Sequence, residues 1–451
     1  MASTAEQLAA NLNLGAFAKA TELRKRIWFT LGALIIYRLG TYIPLPGIDP
    51  DILGDLFSQA QGGILGMFDM FAGGAFGRMT IFALNVIPYI SASIIMQLMT
   101  AVSPRLDALK KEGEQGRKKL NQYTRFGTVG LAAVQAYGIA IGLEAFQGSQ
   151  GSAVIDPGMF FRISTVISLT TGTLFLMWLG EQITARGIGN GISLIIFAGI
   201  VANLPQALIS TLELGRTGAL STLFILALLA LSIAVITFIV FMERAQRRIV
   251  VQYPKRQVGR RMFGGESSHL PLKVNSAGVI PPIFASSLLL MPTTFAGFSS
   301  GFGQGGTGFF AVLAGQLSHG QPLFMFLFGA MVIFFAFFYT ALIFNPAETA
   351  ENLRKYGGFI PGIRPGRNTA EYLDYVLTRL TVVGSLYLAL ISLLPEFLIS
   401  RFAVPFYFGG TSLLIVVSVT MDTVAQVQSH LIAHQYEGLI KKAKLRGARS
   451  R

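Results

Sequence analysis

Chemistry needs side chains that can move a proton, hold a metal or attack a bond, and this 451-residue sequence offers few of them. It has no cysteine, which removes disulfides and thiolate metal sites. Its four histidines are His269, His319, His430 and His434. The last two stand at i, i+4, so one helix face could present both to a metal. They lack the glutamate of an HExxH pattern and sit in a polar C-terminal tail, which favours a solvated face over a metal site. No GxxxxGK[ST] phosphate loop and no GxSxG nucleophile turn occurs. Nothing here supports nucleotide hydrolysis, nucleophilic catalysis or a bound cofactor, and the sequence does not read as an enzyme.

The elements that must carry any function are apolar. Hydrophobic residues make up 52% of the chain and charged residues only 13%, against about 25% charged in a soluble domain. Mean hydropathy is +0.57. Such a chain cannot build a polar shell, so lipid must cover much of its surface. A span needs about 20 mainly apolar residues. Ten candidates read along the chain: 27–43, 79–101, 126–143, 159–179, 189–208, 220–242, 277–295, 323–344, 375–394 and 404–424. Residues 1–26 are polar and end in Arg24, Lys25 and Arg26, and the run that follows is long enough to stay in the membrane rather than serve as a cleaved signal.

The charges sort by side. With a cytoplasmic N-terminus, segments 1–26, 102–125, 180–188, 243–276, 345–374 and 425–451 hold 30 of the 36 lysines and arginines. The opposite loops hold Arg78, Arg216 and Arg401, and Arg38, Arg162 and Arg379 fall within spans. This is a strong positive-inside signal, and it places both termini in the cytoplasm. Topology also explains most of the basic excess, so the net charge of +14 is no argument for nucleic-acid binding. Two cytoplasmic loops are nonetheless more basic than orientation requires.

Ten spans divide into five and five near Arg216. An odd number per half makes the second half enter from the opposite side, which allows two inverted halves. Residues 63–75, GILGMFDMFAGGA, are apolar but too short to cross. Lying between spans one and two on the outer side, they suit a re-entrant helix or an amphipathic helix on the lipid surface. The carboxylates nearest the membrane, Glu144, Glu181, Glu396 and Asp422, all fall at span ends. The span centres hold no carboxylate, which disfavours proton or sodium coupling through one. Span two presents Val86 and Ile90 at i, i+4 and span five presents Ile192 and Ile196 likewise, each with small or polar neighbours. On pattern alone this is ordinary helix packing.

Particular strings carry a resemblance. IFALNVIPYISASIIMQ (81–97), GEQITARGIGNGISLIIFAGI (180–200), ERAQRRIVVQYPKRQVGRR with HLPLK (243–273), NPAETAENL (345–353), PGIRPG (361–366) and PFYFGGTSLLIVVSV (405–419) resemble the SecY family, the channel subunit of the bacterial protein translocase. They are ordered and spread over residues 20–440. The resemblance implies an all-α polytopic membrane protein with ten transmembrane helices in two inverted five-helix halves around a central pore. It implies a conduit for unfolded secretory chains that also releases transmembrane segments sideways into lipid, in the bacterial cytoplasmic membrane. By the same resemblance, 27–208 and 209–429 are the two halves, 1–26 and 430–451 are cytoplasmic ends, and 243–276 and 345–374 are the large cytoplasmic loops.

Site residues follow from the match. Val86, Ile90, Ile192, Ile196, Ile283 and Ile415 fall where the family has its aliphatic pore ring. A narrow ring of branched side chains can gasket a moving polypeptide and dewet against ions when closed. The segment 63–75 falls on the plug, with Gly63, Ile64, Met67, Phe68, Met70 and Phe71. Ser91, Gln97 and Asn275 lie at or near the lateral gate, with local capping an open alternative for Asn275. Lys255, Arg256, Arg260, Arg261 and Arg364 fall on loops that in the family meet the SecA ATPase and the ribosome. SecE, SecG, signal peptides and membrane lipid are the other implied partners. The competing readings are a small-solute transporter, disfavoured by the lack of mid-span carboxylates, and an insertase without a through-pore.

Overall fold

The computed structural model describes residues 21–49, 52–53, 69, 72–145, 147–148, 151–217, 221–253, 256–258, 261–263, 267–289, 321–402 and 410–449. The first helix, α1 (Thr21–Gly40), exposes Trp28, Ile35, Ile36 and Leu39. Such a face is stable only against lipid.

The second helix, α2 (Ile87–Val102), starts eight residues later than hydropathy alone predicts. Residues 79–86 are as apolar as a helix but fold as turns, with Met79 and Asn85 at φ 42° and 49°. Pro88 then sits in the first turn of α2, where a missing N–H costs nothing. At the other end Pro104 forces Ser103 into an extended conformation, ψ 116°. The chain bends by 100° there into α3 (Pro104–Lys111). Gly113, at φ +81°, turns it again into α4 (Glu114–Ala145).

A two-residue pair, β1 (Gln147–Gly148) and β2 (Gly151–Ser152), leads to α5 (Met159–Arg186), α6 (Gly191–Arg216) and α7 (Thr222–Arg244). Ser221 caps α7 by accepting from the Phe224 N–H at 3.3 Å. Next comes β3 (Gln246–Gln252), paired antiparallel with β6 (Ser267–Lys273) from Gln246↔Lys273 to Gln252↔Ser267. Nested between them in sequence are β4 (Arg256–Val258) and β5 (Arg261–Phe263). Helices α8 (Ile280–Leu289), α9 (Pro322–Ile343), α10 (Pro346–Lys355), α11 (Arg367–Phe402) and α12 (Gly410–Arg449) complete the order. Asn345 starts α10, its Oδ1 accepting from the N–H groups of Ala347 and Glu348 ahead of Pro346 at the first helical position. The ninth span is the membrane part of α11, which begins eight residues earlier than expected, inside the loop 345–374.

Among the described residues, seven helices are long and apolar enough to cross a membrane, or eight if the bent pair α2–α3 counts as one span. Helices α1 and α8 stand at the first and seventh expected positions, so every expected span has a helix at its place.

The chain forms two compact units. The first comprises Met1–Ala92, Thr124–Pro205 and Ile415–Arg451. Its aromatic spine stacks Tyr37 of α1 on Phe82 at 6.3 Å and Phe82 on Phe175 of α5 at 5.8 Å. The second comprises Ser93–Tyr123 and Gln206–Leu414. There Phe284 of α8 meets Phe335 and Tyr339 of α9 edge-on, at 5.7 and 6.0 Å. Ile249 and Leu272 of the β3–β6 hairpin pack with Ile360 and with Leu373 and Val376 from the first turns of α11 into a small core.

Candidate functional site

The aliphatic candidates come from α2 and the turn before it, α6, α8 and α12. Val86 lies in the last turn before α2, and the Ile90 N–H donates to its carbonyl at 3.0 Å, so the i, i+4 face survives the late helix start. Val86, Ile90, Ile196 and Ile415 are buried. Ile192 is half-buried and lies over Gly180 of α5, where an added Cβ would come within 2.6 Å of its Cδ1. These five residues belong to the first unit and Ile283, half-buried on α8, to the second.

Gly63, Ile64, Met67, Phe68, Met70 and Phe71 lie outside the described residues. The C-terminal flank of that segment is described, and it is tied to α1. Arg38 Nη1 donates to the Gly73 carbonyl at 2.7 Å, and Arg78 donates to the same oxygen at 3.3 Å. Both guanidiniums lie over the Tyr42 ring, at 5.0 and 4.3 Å. The Tyr37 hydroxyl donates to the Ala72 carbonyl at 3.4 Å. Arg38 thus folds onto the chain's own backbone, a partner that its place at a span end does not foretell. Asp69 accepts from the Gly77 N–H at 2.6 Å. Burial pushes its carboxyl above the ordinary range, against the opposing pull of that N–H and of Arg78.

Of the three gate candidates, Ser91 is buried on α2. Gln97 donates to Ser93 Oγ at 3.2 Å, and its buried Oε1 has no partner among the described residues. Asn275 is buried and donates through Nδ2 to Glu243 Oε1 at 2.6 Å and to the Gly278 carbonyl at 3.1 Å. Its bonds join the end of α7 to the start of α8.

The basic loops form one body. Gln252 and Phe359 exchange both backbone N–H···O bonds at 2.9 Å, which joins the β3–β6 hairpin to the segment before PGIRPG. Arg364 is exposed on a tight turn held by Ile363 N–H to Ile360 O at 3.1 Å, with Gly362 and Gly366 at φ +82° and +108°. Thr369 Oγ1 donates to the Arg364 carbonyl at 3.0 Å. Arg256 and Arg261 lie on β4 and β5, while Lys255 and Arg260 lie outside the described residues. Arg247 and Arg248, exposed on β3 of the same body, are basic groups that motif reasoning passed over. The alternation in QRRIVVQ, which buries Ile249 and Val251, was the signal available.

Among the described residues, no group of three or more His, Asp or Glu side chains could hold a metal ion. Two ion pairs brace the first unit. Arg125 of α4 grips Glu181 of α5 with two bonds, at 2.9 and 2.6 Å. Arg162 meets Glu144 at 2.6 Å, and Glu144 also accepts from the Gly158 N–H.

Comparison with known proteins covers nearly the whole chain. The SecY family model matches residues 80–424. A protein translocase subunit SecY from Escherichia coli (strain K12) is 58% identical over 428 residues, spanning 94% of this chain and 96% of that protein. A solved protein-conducting channel shares the fold with a TM-score of 0.65 at 18% identity, covering 90% of this chain and 92% of that one. Sec61 in the canine ribosome–channel complex from the endoplasmic reticulum gives 0.64, also at 18% identity and with the same coverage. With helices at the expected positions, a family model matching residues 80–424 and a relative 58% identical over 94% of the chain, the chain belongs to the SecY family.

Proposed function

We propose that the chain is the central subunit of a protein-conducting channel that threads unfolded secretory polypeptides across the bacterial cytoplasmic membrane and releases apolar segments sideways into lipid. The observation that carries this reading is 58% identity to a translocase subunit over 94% of the chain. Val86, Ile90, Ile192, Ile196, Ile283 and Ile415 form the constriction. It works by shape and dewetting, with no sequence recognition. The segment 63–75 plugs it from outside, and α2 and α8, with Ser91, Gln97 and Asn275, border the lateral exit. Hydrogen bonds of about 1 kcal/mol in a membrane can hold such a seam shut and still yield to a signal helix.

Energy comes from a partner, since the sequence holds no nucleotide motif. The hairpin β3–β6 and the Arg364 turn are the docking surface for the SecA ATPase and the ribosome. Their exposed arginines suit phosphate or carboxylate groups. SecE and SecG complete the complex, both termini are cytoplasmic, and 27–208 and 209–429 are its halves. The test is a photocrosslinker at Ile90 or Ile196 during translocation of a stalled secretory chain. Crosslinks to that chain are expected, and their absence from a functional complex overturns the reading. Export of soluble cargo by the reconstituted complex separates a channel from an insertase.

A further inference from the structure

The turn between α5 and α6 is held from outside by two helices, α1 and α12, and from within by a side chain of α5. Arg26 Nη1 of α1 donates to the Gly187 carbonyl at 3.4 Å, and the Ile188 N–H donates to Thr30 Oγ1 of the same helix at 3.0 Å. The Gly189 N–H donates to Gln426 Oε1 of α12 at 2.8 Å. The Gly191 N–H donates to Thr184 Oγ1 of α5 at 2.9 Å. Apolar contacts follow the same map, since Ile188 packs between Leu23 of α1 and Leu431 of α12.

Gly189 meets α12 through its backbone. Its φ of +88° suits glycine, and a Cβ there would lie 3.3 Å from Thr423 Oγ1. Thr423 and Gln426 stand at i, i+3, so one face of α12 addresses this turn. Gly189 is buried, and a buried N–H requires a partner. Gln426, a surface-type residue, supplies it from 237 positions away.

Both elements joined by this bond carry constriction residues. Helix α6 begins two residues after Gly189 and bears Ile192 and Ile196. Helix α12 bears Ile415, eleven residues before Gln426, or about 16 Å of helix. We infer that Gln426 is a positioning residue of the channel: its bond to Gly189 fixes α12 against the start of α6 and so holds Ile415 in register with Ile192 and Ile196. The inference rests on the constriction proposed above. A seal between branched side chains tolerates little relative movement, because packed side chains feel a displacement of one methylene.

The absence of native cysteine makes the test direct. Spin labels on Phe197→Cys of α6 and Thr420→Cys of α12 report the distance distribution between the helices in the reconstituted complex. Gln426→Met removes the acceptor at similar volume, and Gln426→Glu keeps it. The distribution is expected to broaden in Gln426→Met and stay narrow in Gln426→Glu. Resting ion conductance is expected to rise about fivefold in the first variant only, the population change that one hydrogen bond of about 1 kcal/mol controls. An unchanged width in Gln426→Met, or equal broadening in Gln426→Glu, overturns the inference. Ile196→Ser serves as the separate control. If it leaves resting conductance unaltered, the constriction reading fails, while the spin-label widths still decide whether Gln426 fixes the two helices.

Discussion

Replacing Gly191 with alanine tests how closely α5 and α6 must approach. A Cβ on Gly191 would overlap the Gly180 carbonyl oxygen, with Gly180 Cα at 2.9 Å. Every atom in that encounter is backbone, so no rotamer change relieves it and the helices must part. Overpacking costs about 1–3 kcal/mol, and a contact with no flexible partner belongs near 3. Alanine returns at most about 1 kcal/mol of backbone entropy, leaving a net loss of about 2 kcal/mol. Gly180→Ala is the informative partner. Its Cβ would first meet Ile192 Cδ1 at 2.6 Å, the far end of a side chain that can swing. Displacing that rotamer costs about 1 kcal/mol, which the helix-propensity gain offsets. Gly180→Ala should therefore melt with the parent yet raise resting ion conductance, because it moves Ile192, a residue of the proposed constriction. At Gly130 on α4 an added Cβ would have nothing within 4 Å, so Gly130→Ala should melt at or above the parent. Thermal melting of the purified protein in mild detergent gives the order. If Gly191→Ala melts with Gly130→Ala, the close approach of α5 and α6 is refuted.

Asn275→Ala removes a hydrogen bond to the Glu243 carboxylate and should cost about 1.5–3 kcal/mol, read as a lower melting temperature than for Ser276→Ala. Arg364→Ala should leave melting and resting conductance at parental values, since the exposed turn is bonded through the Arg364 carbonyl, while motor-driven export of secretory cargo falls sharply. Asp69 gives a pH signature. Its folded pKa lies above the ordinary 3.8, so the folded state holds that proton more tightly than the unfolded chain. Its contribution is complete below pH 3.8 and is lost as pH rises through the raised value. Melting temperatures at pH 4 and pH 6 should show that slope, and Asp69→Asn should flatten it.

Much of the architecture was written in hydropathy and charge. Helices stand at the positions where hydropathy placed the spans. The start of α2 was not legible, because residues 79–86 are as apolar as a helix and hydropathy cannot separate an apolar turn from an apolar helix. The positive φ of Met79 arises from tertiary packing, since methionine does not favour it, whereas Asn85 adopts it more readily. Side-chain bonds between distant segments were equally hidden. Asn275 finds Glu243 32 residues away, Arg38 finds Gly73 35 residues away, and Gln426 looks like any solvated residue of a polar tail until Gly189 is placed beside it.

The long helix α11 has a mechanical consequence. From Arg367 to Pro395 it runs 29 residues without a break, about 44 Å, against a hydrocarbon core of about 30 Å. Its first turns, through Leu373 and Val376, are embedded in the small core beneath the Arg364 turn. On the docking role proposed for that turn, a push delivered there reaches membrane depth along one stiff rod, with no compliant loop in between to absorb it.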